Sequence, residues 1–282
     1  MNDIIFNIKG LEKTYKVKKG KDVKALSSID LSIEKNEFIC VVGPSGCGKT
    51  TLMNVLAGLE PYDAGEVTIH GQPVLGPGPD RTVVFQQYAL YPWMTVKQNI
   101  MFPLKFQKRK IVTEEKDTAG NVTEKITYQA YTKQEKEEIA SHYIKMVALD
   151  GFEDAYPSRL SGGMKQRVAI ARSYVGSSDV LLMDEPFGAV DAQTRAQLQE
   201  DLLHTWTSER KTCFFITHDV EEAVLLATRV IVMSARPARI KKVFEIDIPY
   251  PRTQKTKMDA EFIRYKNMVW EEVYQEYLEV KK

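Results

Sequence analysis

Two rhythms of apolar residues alternate along the chain. Short unbroken runs occur at Phe38-Ile39-Cys40-Val41-Val42, Val180 to Met183, Phe214 to Ile216 and Val230 to Met233. Runs of this length, bounded by turns, suit strands buried on both faces of a parallel sheet. Between them lie helical patterns, at Thr50 to Leu59, Ala192 to Trp206 and Val220 to Ala227. Alternating buried strands and helices predict an α/β sandwich. The N-terminal stretch has a different period. Ile4-Phe6-Ile8 and Ile29-Leu31-Ile33 alternate apolar with polar residues, as strands with one solvated face do. The lysine-rich segment Lys16 to Lys24 between them reads as a solvated hairpin tip.

From about Tyr91 to Tyr174 the pattern is mainly helical. Residues 107–130 interrupt it: β-branched residues flank the turn formers Asp117 to Asn121. This segment is either an inserted β-hairpin or a disordered charged loop. After Ala235 comes a proline- and lysine-bearing stretch. It ends in an amphipathic helix pattern through Phe262, Tyr265, Met268, Val269 and Val273.

Composition narrows the field. Apolar content of 43% and charged content of 27% are ordinary for a globular protein with a substantial core. Lysine plus arginine number 39 against 38 acids, a net charge of +1, so no nucleic-acid partner is expected. No run of about 18 apolar residues occurs, and the N-terminus lacks the features of a signal peptide. A membrane role would therefore require docking to a partner. Cys40, Cys47 and Cys213 lie outside metal-ligand spacing and read as free thiols of a reducing compartment.

The chemistry begins at Gly43-Pro44-Ser45-Gly46-Cys47-Gly48-Lys49-Thr50, followed by Thr51. This matches G-x-x-x-x-G-K-[ST], after a strand and before a helix. Glycines let backbone N–H groups converge on a phosphate, and the helix dipole adds attraction for negative charge. Lys49 is placed for the β- and γ-phosphates of ATP, and Thr50 for Mg²⁺. The run Val180 to Met183 delivers Asp184 and Glu185 to the same end of the sheet. Asp184 is a candidate Mg²⁺ ligand and Glu185 a candidate base for water. These motifs alone denote a P-loop NTPase and leave kinases, GTPases, helicases and transport ATPases open.

Residues 160–167 read LSGGMKQR, between GPSGCGKT upstream and LLMDEP downstream. This resembles the signature of ATP-binding cassette (ABC) ATPases, in family order and spacing. The resemblance implies a P-loop NTPase (RecA-like) α/β core over residues 1–235. An antiparallel β subdomain and an inserted α-helical subdomain, about 91–174 and containing 107–130, belong to it. Residues 236–282 then form a C-terminal tail and helical extension. It further implies that Gln86 is the Q-loop glutamine, which contacts Mg²⁺ and the water. Asp191 is then the D-loop aspartate, His218 the switch histidine that holds the γ-phosphate, and Tyr15 the adenine-stacking aromatic. Ser161, Gly162 and Gly163 would close on the ATP held by a second cassette, so a dimer, most simply a homodimer, is implied. By themselves these three residues read equally as a serine-capped helix start.

Shorter segments resemble the nitrate, sulfonate and taurine importer branch. They are Gly76 to Arg81, Leu90-Tyr91-Pro92-Trp93, Ser234-Ala235-Arg236-Pro237, and Ile248 to Arg252. The implied partners are transmembrane permease subunits and, indirectly, an extracytoplasmic solute-binding protein. The implied location is the cytoplasmic face of the cell membrane. Leu90 to Trp93 is the expected permease contact, or else packing for the helical subdomain. A soluble ABC ATPase without a transport role and a P-loop small-molecule kinase are the competing readings.

Overall fold

The computed structural model describes residues 3–18, 20–116, 122–176, 178–188 and 190–280. They fall into two compact units, Met1–Tyr88 with Ser178–Lys282, and Ala89–Ser177. In chain order the first elements are β1 (Ile4–Tyr15), β2 (Val23–Glu34), β3 (Phe38–Val42), α1 (Lys49–Ala57), β4 (Ala64–Ile69), β5 (Gln72–Pro73) and β6 (Arg81–Val84). Next come α2 (Val96–Met101), β7 (Lys108–Lys116), β8 (Val122–Ala130), α3 (Lys133–Met146) and α4 (Gly162–Val175). The chain ends with β9 (Val180–Asp184), α5 (Ala192–Glu209), β10 (Thr212–Ile216), α6 (Val220–Leu226), β11 (Arg229–Met233), β12 (Ile240–Glu245) and α7 (Ala260–Val280).

In the first unit, the described residues form a six-stranded sheet of order β12-β11-β3-β10-β9-β6. The inner pairs are parallel and β12 is antiparallel at the edge. The unbroken apolar runs are the central strands: every residue of β3 and β10 is buried. A second, antiparallel sheet has the order β2-β1-β4-β5. Its alternating residues Ile8, Leu31 and Ile33 face a core shared with Leu52, Met53 and Leu56 of α1 and Val41, Leu182 and Phe214 of the central sheet. Helix α1 thus begins where β3 ends, at the strand end that also carries Asp184.

Residues 236–282, expected as a tail and extension, also supply β12 to the sheet. Its sequence Ile-Lys-Lys-Val-Phe-Glu hides the strand, because an edge strand buries few of its residues and tolerates charge. The buried Arg252 locks this region down. Its guanidinium donates to the carbonyls of Val224, Leu225 and Ala227 at the end of α6, and to Ile246 and Ile248. It also covers the Tyr250 ring at 4.1 Å. In α7, Phe262, Tyr265 and Val269 are buried as the helical period requires, whereas Met268 is exposed.

The second unit is built on α2, α3 and α4. Its core joins Val96, Ile100, Ala140, Ile144, Val168 and Ala171. Thr95 with Gln98 and Thr132 with Glu135 form capping boxes that start α2 and α3. The buried Asn99 fixes the loop before α2. Its amide donates to the carbonyls of Tyr91, Met94 and Thr95 and its oxygen accepts from the Tyr91 amide. Segment 107–130 contains a hairpin, with β7 and β8 paired from Lys108 with Ala130 to Lys116 with Val122. Its expected turn, Asp117 to Asn121, lies outside the described residues. Leu90 packs against the core of this unit, whereas Trp93 is 68% exposed. The two ends of the candidate contact Leu90 to Trp93 therefore divide between packing and surface.

Candidate nucleotide site

The loop 43–48 turns sharply, and glycine is required where it does. Gly43, Gly46 and Gly48 have φ values of 154°, 71° and 131°, a region L side chains avoid. At Gly43 a Cβ would also meet the Met233 carbonyl at 2.6 Å. Lys49 opens α1 and is buried. Its ammonium donates to the carbonyls of Gly43 at 2.8 Å and Pro44 at 3.0 Å. The lysine therefore braces the loop through its carbonyls, leaving the loop's N–H groups as the donors a phosphate would meet. Cys47 is buried beside it, and burial pushes its thiol pKa up. At Cys47 only the backbone is offered to a ligand.

A pocket of about 310 Å³ opens over this loop, within the size range of small-molecule sites. Tyr15, Ser45, Gly46, Lys49, Thr50, Thr51 and Glu185 are among its lining residues. The Tyr15 hydroxyl lies 3.3 Å from the Thr51 hydroxyl, and the Tyr15 ring is 37% exposed. A planar ligand can reach that ring from the pocket. Arg236 also lines the pocket, and sequence patterns did not single it out as a site residue.

The Thr50 hydroxyl donates to both oxygens of Asp184, at 3.2 and 3.0 Å. Burial raises the Asp184 pKa above the usual carboxylate range. The Thr50 hydrogen bond works against that shift and the neighbouring Glu185 adds to it. The pair is an all-oxygen donor set, suited to a hard cation. Among the described residues no cluster of three or more His, Cys, Asp or Glu could hold a metal by itself. A divalent cation here needs further oxygens from nucleotide and water.

Glu185 follows at the end of β9 with φ of 42°, a conformation costing a non-glycine residue about 1–2 kcal/mol. The turn is held by Glu185 N–H on the Ile216 carbonyl and Gly188 N–H on the Glu185 carbonyl, both 3.0 Å. This backbone strain aims the carboxylate off the strand end and into the pocket. Oε2 of Glu185 lies 3.1 Å from Nδ1 of His218. His218 is held after β10 by Thr217, whose side chain is buried, and Asp219, which caps α6 through the amides of Glu221 and Glu222. Gln86, after β6, is exposed, with its amide nitrogen 3.6 Å from where a Gly188 Cβ would stand. The structure thus brings Lys49, Thr50, Asp184, Glu185, His218 and Gln86 to one end of one sheet.

Ser161 caps α4, accepting from the Met164 amide at 3.2 Å. Gly162 and Gly163 form the first two positions of that helix, where N–H groups have no intrahelical acceptor. Asp191 caps α5, accepting from Gln193 and Thr194. The Thr194 amide holds its carboxyl below the usual carboxylate range.

The ABC transporter family model matches residues 26–188, spanning the loop, LSGGM and LLMDEP. The chain belongs to the ABC transporter family. It is an ATP-binding subunit and an ATPase. It is 48% identical over 250 residues to an uncharacterized ABC transporter ATP-binding protein of Methanocaldococcus jannaschii, covering 89% of this chain and 84% of that one. To the nitrate import ATP-binding protein NrtD of Synechocystis sp. it is 43% identical over 268 residues, 93% of this chain and 92% of the other. To the aliphatic sulfonates import ATP-binding protein SsuB of Bacillus cereus it is 41% identical over 260 residues, 92% and 93% of the two chains. A dimeric ATP-binding cassette solved in a post-hydrolysis state with ADP and Pi superposes with TM-score 0.71 and 28% identity, covering 87% of this chain and all of that one.

Proposed function

We propose that this ABC ATPase energises an importer for a small anion or organic solute, of the nitrate, sulfonate or taurine class. The carrying observation is the convergence of Glu185 with His218 beside the pocket over the P-loop. The similarity to NrtD and SsuB over nine-tenths of the chain supports the importer reading. Among the described residues no helix is long and apolar enough to cross a membrane. The chain therefore works by docking to transmembrane permease subunits at the cytoplasmic face, with an extracytoplasmic solute-binding protein delivering cargo.

Each residue then has a task. Tyr15 stacks on adenine. The backbone N–H groups of residues 45–51 and the Lys49 ammonium hold the phosphates, once Lys49 leaves the Gly43 and Pro44 carbonyls. Thr50, Asp184 and Gln86 would hold Mg²⁺, which supplies charge neutralisation on the phosphate oxygens. Glu185 accepts the proton of the attacking water. His218 orients that carboxylate and holds the γ-phosphate end of the site. Ser161, Gly162 and Gly163 complete the site of a second, identical cassette, and Asp191 acts there as the D-loop aspartate. The N–H groups of Gly162 and Gly163 suit an incoming anion. Catalysis is otherwise positioning and charge stabilisation.

The test is reconstitution with the permease and binding protein in proteoliposomes. ATP hydrolysis should rise on adding nitrate, an alkyl sulfonate or taurine, and release free phosphate. Hydrolysis indifferent to permease and solute would contradict the importer. A phosphorylated small-molecule product would contradict the ATPase assignment of the site.

A further inference from the structure

Arg236 occupies the pocket without a task in the mechanism above. It follows β11 in an exposed position, and its side chain lines the pocket. Nε donates to the Gly46 carbonyl at 2.8 Å and Nη2 to the same oxygen at 2.5 Å. A guanidinium carries five N–H donors, so three are left after that contact. The guanidinium lies close over the loop: a Cβ at position 46 would stand 3.0 Å from Nη2.

The turn that carries Arg236 is fixed from two sides. Ala238 exchanges backbone hydrogen bonds with the strand β2, giving its N–H to Ala25 and accepting from Ser27. On the other side the buried Glu276 of α7 accepts the Ala235 amide at 2.7 Å and pairs with Lys241 at 2.9 Å. One oxygen of this buried carboxylate is held by the Lys241 ammonium and the other fixes the Ala235 amide, so the carboxylate is paired and locked in place. The C-terminal helix therefore sets the position of a cation at the nucleotide pocket.

We infer that Arg236 is a phosphate-binding residue of the nucleotide site, and that Glu276 is its positioning residue. Two donors tether the guanidinium to the loop, and the remaining ones meet the phosphate chain that enters between Lys49 and Tyr15. This adds a second cation beside Lys49 to the lining of the pocket, and it makes α7 part of nucleotide recognition. The inference rests on ATP occupying this pocket.

Isothermal titration of the purified full chain with MgATP, MgADP and adenosine tests it. Arg236→Gln should weaken MgATP and MgADP by about tenfold, leave adenosine unchanged, and flatten the salt dependence of MgATP binding. Arg236→Lys should recover part of the loss. Glu276→Gln should weaken MgATP less than Arg236→Gln does, and should add little when Arg236 is already replaced. Wild-type affinity in Arg236→Gln overturns the inference, as does an equal loss for adenosine, which would mark a merely structural role. A wild-type chain that binds no nucleotide would instead overturn the reading of the pocket itself.

Discussion

The P-loop and the signature are both glycine-bearing helix starts, and they are built to different degrees. At the P-loop three glycines hold positive φ, Lys49 folds onto the loop carbonyls, and a lined pocket stands over the helix. At the signature, Ser161 makes an ordinary cap, and neither Gly162 nor Gly163 adopts positive φ. The first is a site complete enough to read in one chain. The second is a capped helix start, and in the proposed function it acts on a ligand brought by another surface. Two similar-looking motifs thus differ in how much of the site the chain itself supplies.

The largest effects should separate these two regions by binding against turnover. Lys49→Ala removes the buried cation of the P-loop and should weaken MgATP at least about 100-fold, read by titration. Glu185→Gln should leave binding intact and lower hydrolysis by a factor on the order of 10² to 10⁴, read as phosphate release. Ser161→Arg places bulk and charge at the signature. It should cut hydrolysis at least about tenfold while the isolated chain binds MgATP as before. Equal loss of binding in Ser161→Arg would erase the distinction between the two regions.

A smaller effect is expected with pH. Burial raises the Asp184 pKa, and Mg²⁺ requires the carboxylate. As pH falls through that raised pKa, protons compete with the cation, so the Mg²⁺-dependent gain in ATP affinity should shrink. This loss should begin above the usual carboxylate range, and Mg²⁺-free binding should change less. At the signature, Ser161, Gly162 and Gly163 carry no titrating side chain, so no comparable loss originates there. Smallest of all, Ser161→Ala should cost about 1 kcal/mol of stability through loss of the cap, read by denaturant unfolding.

Legibility in the sequence follows the same divide. The P-loop was visible because φ > 0 and close packing demand glycine at fixed spacing. The apolar runs of β3, β9, β10 and β11 were visible because burial on both faces forbids polar interruptions. Helix ends moved where a left-handed residue stops them, at Gly58 after α1 and Arg210 after α5. What stayed hidden depends on contacts between residues far apart in the chain. Arg236 reaches Gly46 across 190 positions, and Glu276 reaches Ala235 across 41. Arg252, which closes the segment Ile248 to Arg252, is a buried brace for the end of α6. Nothing in local pattern distinguishes such arginines from solvated ones. Ser161 could not be assigned from its own neighbourhood either, because a cap and half of an anion site look alike in one chain.

Light scattering of Glu185→Gln with MgATP, alone and combined with Ser161→Arg, tests the composite site most directly. The composite-site account predicts an ATP-dependent dimer that Ser161→Arg abolishes while nucleotide still binds. An ATP-bound protein that stays monomeric, or a dimer indifferent to Ser161→Arg, would contradict it.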